Sequence, residues 1–75
     1  MNYYRIDVID ENDESNGYSL CIKSKDKLGD DAVDYAVKNG LIDKYDLKEY
    51  NVSSEDITND DYELHFWLEH AVSID

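Results

Sequence analysis

One cysteine, two histidines and nineteen carboxylates are the side chains best equipped for chemistry in this sequence of 75 residues. The acid-rich segment Asp10–Gly17 suggests a calcium loop. An EF-hand loop needs oxygen ligands at positions 1, 3 and 5, glycine at 6 and a bidentate glutamate at 12. Starting at Asn12 places Asn12, Glu14, Asn16 and Gly17 correctly but ends on Lys23, and starting at Asp10 puts Ser15 where glycine belongs. The segment therefore reads as a solvated loop, with weak cation binding as its only metal chemistry. His65 and His70 stand five residues apart, whereas helical zinc sites use ligands at i and i+4. No metal site is expected from them.

Cys21 would need a histidine base and a positive environment to act as a thiolate, and its surroundings are acidic. Among nineteen acids some pairs lie close by chance, so a carboxylate pair points to no particular reaction. There is no phosphate-cradling glycine loop, nucleophile elbow or P-loop lysine. The sequence thus predicts neither an enzyme nor a cofactor.

The charge balance is the stronger feature: nineteen acids against seven lysines and arginines, net −12. Such an excess opposes compaction by self-repulsion. Disordered acidic chains are poor in aromatics, but this one carries seven Tyr, one Phe and one Trp, and 41% of its residues are hydrophobic. A folded domain spanning residues 1–75 is expected. A core of this size yields about 3–5 kcal/mol, and homodimerisation is one way to enlarge it. The lone cysteine excludes an intramolecular disulfide and fits a reducing compartment. No signal peptide opens the sequence, and its longest apolar run is Phe66–Trp67–Leu68, so a cytoplasmic location is expected. Direct nucleic-acid binding, which draws on lysine and arginine, and anionic membrane surfaces are disfavoured.

Any site must be positioned by few elements. Tyr4, Ile6 and Val8 alternate with Tyr3, Arg5 and Asp7, and Tyr18, Leu20 and Ile22 with Ser19, Cys21 and Lys23. Period two on both sides of a polar loop predicts an antiparallel hairpin. Asp30 as cap, an apolar stripe of Ala32, Val33, Ala36 and Val37, and Asn39–Gly40 as terminator predict a helix over about 30–39. A loop or helical turn follows at 43–46, then a short strand near 48–53 and a loop over 54–61. Residues 62–70 fit two templates. As a strand, Tyr62, Leu64, Phe66 and Leu68 face inward; as a helix, Leu64, Trp67, Leu68 and Ala71 do, with Asp60 or Asp61 as cap. Aromatic content favours the strand. The expected fold is α+β: a small antiparallel sheet in the order β-β-α-β-β with one helix on a face, the last segment being strand or helix.

Function then rests on the surface. Asp10, Glu11, Asp13 and Glu14 in the hairpin loop and Asp30, Asp31 and Asp34 at the helix start are the candidate contact charges. Trp67, outward in the strand reading and buried in the helical one, is the candidate anchor. Duplex DNA carries one negative charge per roughly 1.7 Å of axis, and carboxylates gathered on one face would imitate that field. In charge, size and aromatic content the sequence is similar to the small acidic proteins of phages and other bacterial mobile elements, DNA-mimic anti-restriction and anti-CRISPR inhibitors among them. No motif is shared, so the likeness assigns no residue a role. It implies a non-enzymatic interaction module docking on a basic protein surface, such as that of a nucleic-acid-binding protein. The alternative is a small structural or weakly cation-binding protein whose acids only keep it soluble.

Overall fold

The computed structural model describes all 75 residues. Four strands, β1 (Asn2–Ile9), β2 (Tyr18–Ser24), β3 (Asn51–Asp56) and β4 (Val72–Ser73), form one sheet in the order β3-β1-β2-β4. Three short helices accompany it: α1 (Ala32–Lys38), α2 (Lys44–Glu49) and α3 (Asp61–Trp67). The fold is α+β, as the alternating segments and the helical stripe predict.

The hairpin of β1 and β2 is antiparallel, with Arg5 opposite Cys21 and Ile6 opposite Leu20. Alternation sends Tyr4, Ile6, Val8 and Ile22 to one face, where they meet Ala32 and Ala36 of α1 and Ile42. The two alanines are fully buried; their small side chains let α1 lie close to the sheet. The Tyr4 hydroxyl accepts the Leu28 N–H at 2.7 Å, fixing the approach to α1. The helix ends as Asn39–Gly40 predicts. Gly40 adopts φ +75°, and the N–H groups of Gly40 and Leu41 reach the Val37 and Ala36 carbonyls, a Schellman motif that needs a residue free of the Cβ penalty. At its start α1 is shorter than expected. Asp31, not Asp30, is the cap residue, and its carboxylate turns back to the Gly29 N–H.

Three expectations are corrected. The segment near 48–53 is not one strand: α2 runs through Glu49, begun by Asp43 accepting the Tyr45 N–H at 2.8 Å. β3 then continues to Asp56, through residues whose polarity suggested a loop. The polarity reflects its place at the sheet edge, paired on one side only, with β1. Second, residues 61–67 form a helix, not a strand. Asp60 caps it through the Glu63 N–H, and Trp67 Nε1 donates to Glu63 Oε2 at 3.2 Å across one turn. These local bonds outweigh an aromatic preference for strand, which is weak and depends on context. Third, the sheet is mixed, because the fourth strand is the two-residue β4, parallel to β2. It is anchored by the Ile74 N–H on the Lys23 carbonyl and by Asp75, which accepts the Lys25 N–H at 2.8 Å and the hydroxyl of buried Ser24.

The expectation of one helix on one face also changes. Tyr3, Arg5 and Asp7 project opposite to Tyr4, Ile6 and Val8, and α3 packs on that second side through Glu63 and Arg5. No helix is long and apolar enough to cross a membrane.

Candidate interaction surfaces

On the α3 side of the sheet, three carboxylates converge on one guanidinium. Arg5 Nε donates to Asp7 Oδ2 at 3.2 Å, Nη1 to Glu63 Oε1 and Nη2 to Glu55 Oε2 at 2.5 Å. β1 supplies Arg5 and Asp7, adjacent β3 supplies Glu55 opposite Arg5, and α3 supplies Glu63. Partial burial opposes the charged form of Arg5, but the hydrogen bond and charge of Asp7 and the charges of Glu63 and Glu55 outweigh it and raise its pKa. The group keeps more negative than positive charge. Cys21 lies opposite Arg5 and is buried. Burial pushes its thiol pKa up, a backbone hydrogen bond involving Tyr4 opposes this, and the charge of Glu63 adds to the rise. That environment favours the inert thiol over the thiolate.

A second gathering of acids lies at the end of the sheet where β1 finishes and β2 begins. The Tyr18 hydroxyl donates to Asp46 Oδ2 at 2.9 Å. Burial, that bond and the charges of Asp46 and Asp43 push the Tyr18 pKa up to about 12. Burial together with Asp10, Asp46, Tyr45 and Glu49 raises that of Tyr50 as well. Glu11 accepts the Asn51 side-chain amide, tying the hairpin loop to the start of β3. Acids from 10–14 and 43–49, far apart in the chain, therefore share one end of the molecule.

The candidate contact charges do not form one group. Asp10, Glu11, Asp13 and Glu14 lie at this end. Asp30, Asp31 and Asp34 follow Leu28, whose N–H is bound by Tyr4 near the opposite end of β1. Within the loop, Asp10 accepts the N–H groups of Asn12 and Asp13, and Asp13 accepts the N–H and hydroxyl of Ser15. The hydroxyl bond and then the backbone bond lower the Asp13 pKa. These carboxylates fold inward onto their own loop. Trp67 is half buried with its indole N–H bound to Glu63. Tyr45 on α2 is 63% exposed, and the exposed aromatics of α3 are Tyr62 and Phe66, 87% and 68% exposed. Sequence reasoning missed this pair because the strand template turns both inward; the helical template puts them at i and i+4, away from Leu64 and Trp67. His65 and His70 are exposed. No cluster of His, Cys, Asp and Glu is arranged to hold a metal ion. The largest depression, about 320 Å³, is an open one beside Asp7, Ile9, Glu14, Gly17, Tyr18 and Ser19.

Comparison of the chain with protein-family models, with curated proteins and with solved structures finds no match.

Proposed function

We propose that the protein is a non-enzymatic interaction module that docks its acidic surface onto a basic partner. The observation supporting this is the shared end of the hairpin loop and α2. Burial first, then the Asp46 bond and the charges of Asp46 and Asp43 at Tyr18 and of Asp10, Asp46 and Glu49 at Tyr50, resist ionisation of the two tyrosines, and the acids' share marks a local negative potential. Such a potential steers a basic partner into fast, salt-sensitive association. A reducing, cytoplasmic setting accords with the free thiol of Cys21. In the narrower form of the proposal, the partner is a nucleic-acid-binding protein whose basic cleft takes the carboxylates in place of phosphates.

The test is an NMR titration of the isotope-labelled chain with oligo-lysine. Salt is raised from about 10 mM to about 150 mM, which shortens the screening length from about 30 Å to about 8 Å. Shifts centred on residues 10–14 and 43–49 that weaken with salt are expected. Affinity indifferent to salt, or shifts spread over every acid alike, refutes the proposal. Calcium shifts confined to residues 10–17 would favour the cation-binding alternative. Mimicry adds one requirement: the protein must compete with duplex DNA for a basic DNA-binding protein.

A further inference from the structure

α3 hides one side and displays the other. Glu63, Leu64 and Trp67 are partly buried, while Asp61, Tyr62, His65, Phe66 and Glu69 are exposed. At about 100° per residue, Tyr62 and Phe66 lie together on one side of Glu63, whose carboxylate reaches Arg5. The pair has a firm backing: the Phe66 and Trp67 rings meet edge to face with centroids 5.2 Å apart, and the Trp67 indole is bound to Glu63. Around the two rings the charge is negative. Glu69, on the turn that follows the helix, shares their side, whereas Asp61 lies about 100° from Tyr62, nearer Leu64 and Leu68. Beyond Glu63, Arg5 is a single cation for three carboxylates, of which Glu55 is the most open, 60% exposed in its side chain.

Exposed aromatic faces beside unneutralised carboxylates match one common side chain. A guanidinium is planar and weakly hydrated, stacks on aromatic rings and grips a carboxylate with two donors; an ammonium is a compact, strongly hydrated point charge. A second copy of this chain is the poorer occupant, because it would bring another net charge of −12 to the same face. We infer that the outer face of α3 is a docking ledge for arginine side chains of a basic partner, which stack on Tyr62 and Phe66 and pair with Glu69 or Glu55. This rests on the reading of the protein as an acidic docking module and names the chemistry of its partner.

The experiment titrates the full-length chain with oligo-arginine and oligo-lysine of equal length, following the fluorescence of the single tryptophan and NMR shifts. An ammonium also lies over a ring but stacks less well than the planar guanidinium, so oligo-arginine is the tighter ligand by a few fold, with about thirtyfold as the ceiling set by two exposed rings. The double variant Tyr62→Ala/Phe66→Ala removes that preference and weakens oligo-lysine less than oligo-arginine. Tyr62→Leu/Phe66→Leu, which keeps apolar area and guards against loss of fold, removes it too. Glu14→Gln/Glu49→Gln weakens both ligands alike and preserves the preference. Equal affinities in the parent chain, or a preference that survives loss of both rings, overturns the inference; so does self-association that Tyr62→Ala/Phe66→Ala abolishes without any arginine preference. If both peptides bind equally and salt-sensitively, the ledge alone is refuted. If neither binds at about 10 mM salt, acidic docking falls with it.

Discussion

Replacing Arg5 with methionine tests how α3 is held to the sheet. Methionine keeps much of the apolar stem and removes the guanidinium. Asp7 and Glu63 then lose their cation while only 25% and 28% exposed. Hydrogen bonds to charged groups contribute about 1.5–3 kcal/mol each, whereas Glu55, 60% exposed, belongs with surface pairs worth about 1 kcal/mol or less. The bonds share one guanidinium and do not add fully, and methionine avoids the cost of desolvating a cation. The expected loss is about 2–4 kcal/mol. A core of this size supplies about 3–5 kcal/mol, so Arg5→Met should keep about 1 kcal/mol at the midpoint of these ranges, with roughly a sixth of the molecules unfolded without denaturant. Urea titration followed by Trp67 fluorescence and circular dichroism reads the effect, since the only tryptophan sits one turn from Glu63. Glu63→Gln should cost about 1–2 kcal/mol, and the double variant should fall short of the sum by about 1–2 kcal/mol. Arg5→Met within about 0.5 kcal/mol of the parent, or no coupling to Glu63, would refute the idea that this cluster fastens the helix.

Two further outcomes follow from the hairpin. Tyr18 should titrate near 12, above the ordinary tyrosine range. Because the fold favours its protonated form, the stability it contributes is complete below about 10 and is lost as pH rises from about 10 toward 12; tyrosinate absorbance checks this, with Tyr18→Phe removing the late phase and the alkaline loss. Gly17→Ala should destabilise the hairpin by about 1–3 kcal/mol. The added Cβ would lie 2.9 Å from the Val8 carbonyl oxygen, a backbone atom that cannot swing aside, and a melting temperature equal to the parent's would contradict it.

The elements visible in the sequence were those whose information is local. Tyr4, Ile6 and Val8 alternate with Tyr3, Arg5 and Asp7 because the two sides of β1 differ in kind, apolar and dry beneath α1, ionic and partly open to water beneath α3. Asn39–Gly40 ends α1 because the chain there needs a left-handed residue. What could not be read depended on partners distant in sequence. Nothing near Arg5 announces Glu55 or Glu63, which lie 50 and 58 residues away. β3 has a polar sequence because it is an edge strand, a property conferred by where it pairs and not by its own residues. In residues 61–67 the aromatics themselves misled. Tyr62 and Phe66 suggest strand by type, but they point to solvent and contribute little to the choice, which Asp60 and the Glu63–Trp67 bond make locally.

The acid excess has two origins that this structure separates. The chain has no proline and only three glycines, so its turns and helix starts are fastened chiefly by aspartate side chains accepting backbone N–H groups. Asp10, Asp13, Asp43, Asp56, Asp60 and Asp75 all serve in this way. Asparagine could make most of these bonds without the charge, so folding explains the oxygen atoms but not the ionisation. Nor does ionisation cost much on average. Nineteen carboxylates over 5244 Å² stand about 17 Å apart, twice the screening length of about 8 Å at physiological salt. Charge matters here where it departs from even spacing: around Tyr18 and Tyr50, and around Arg5. It also matters beside Tyr62 and Phe66, where Glu69 accepts no hydrogen bond from within the chain. That carboxylate fastens no turn and neutralises no cation, so selection for folding gives no reason for it to be charged, while recognition of a cationic partner does; Asp61, in the first turn of α3, owes its charge to the helix dipole.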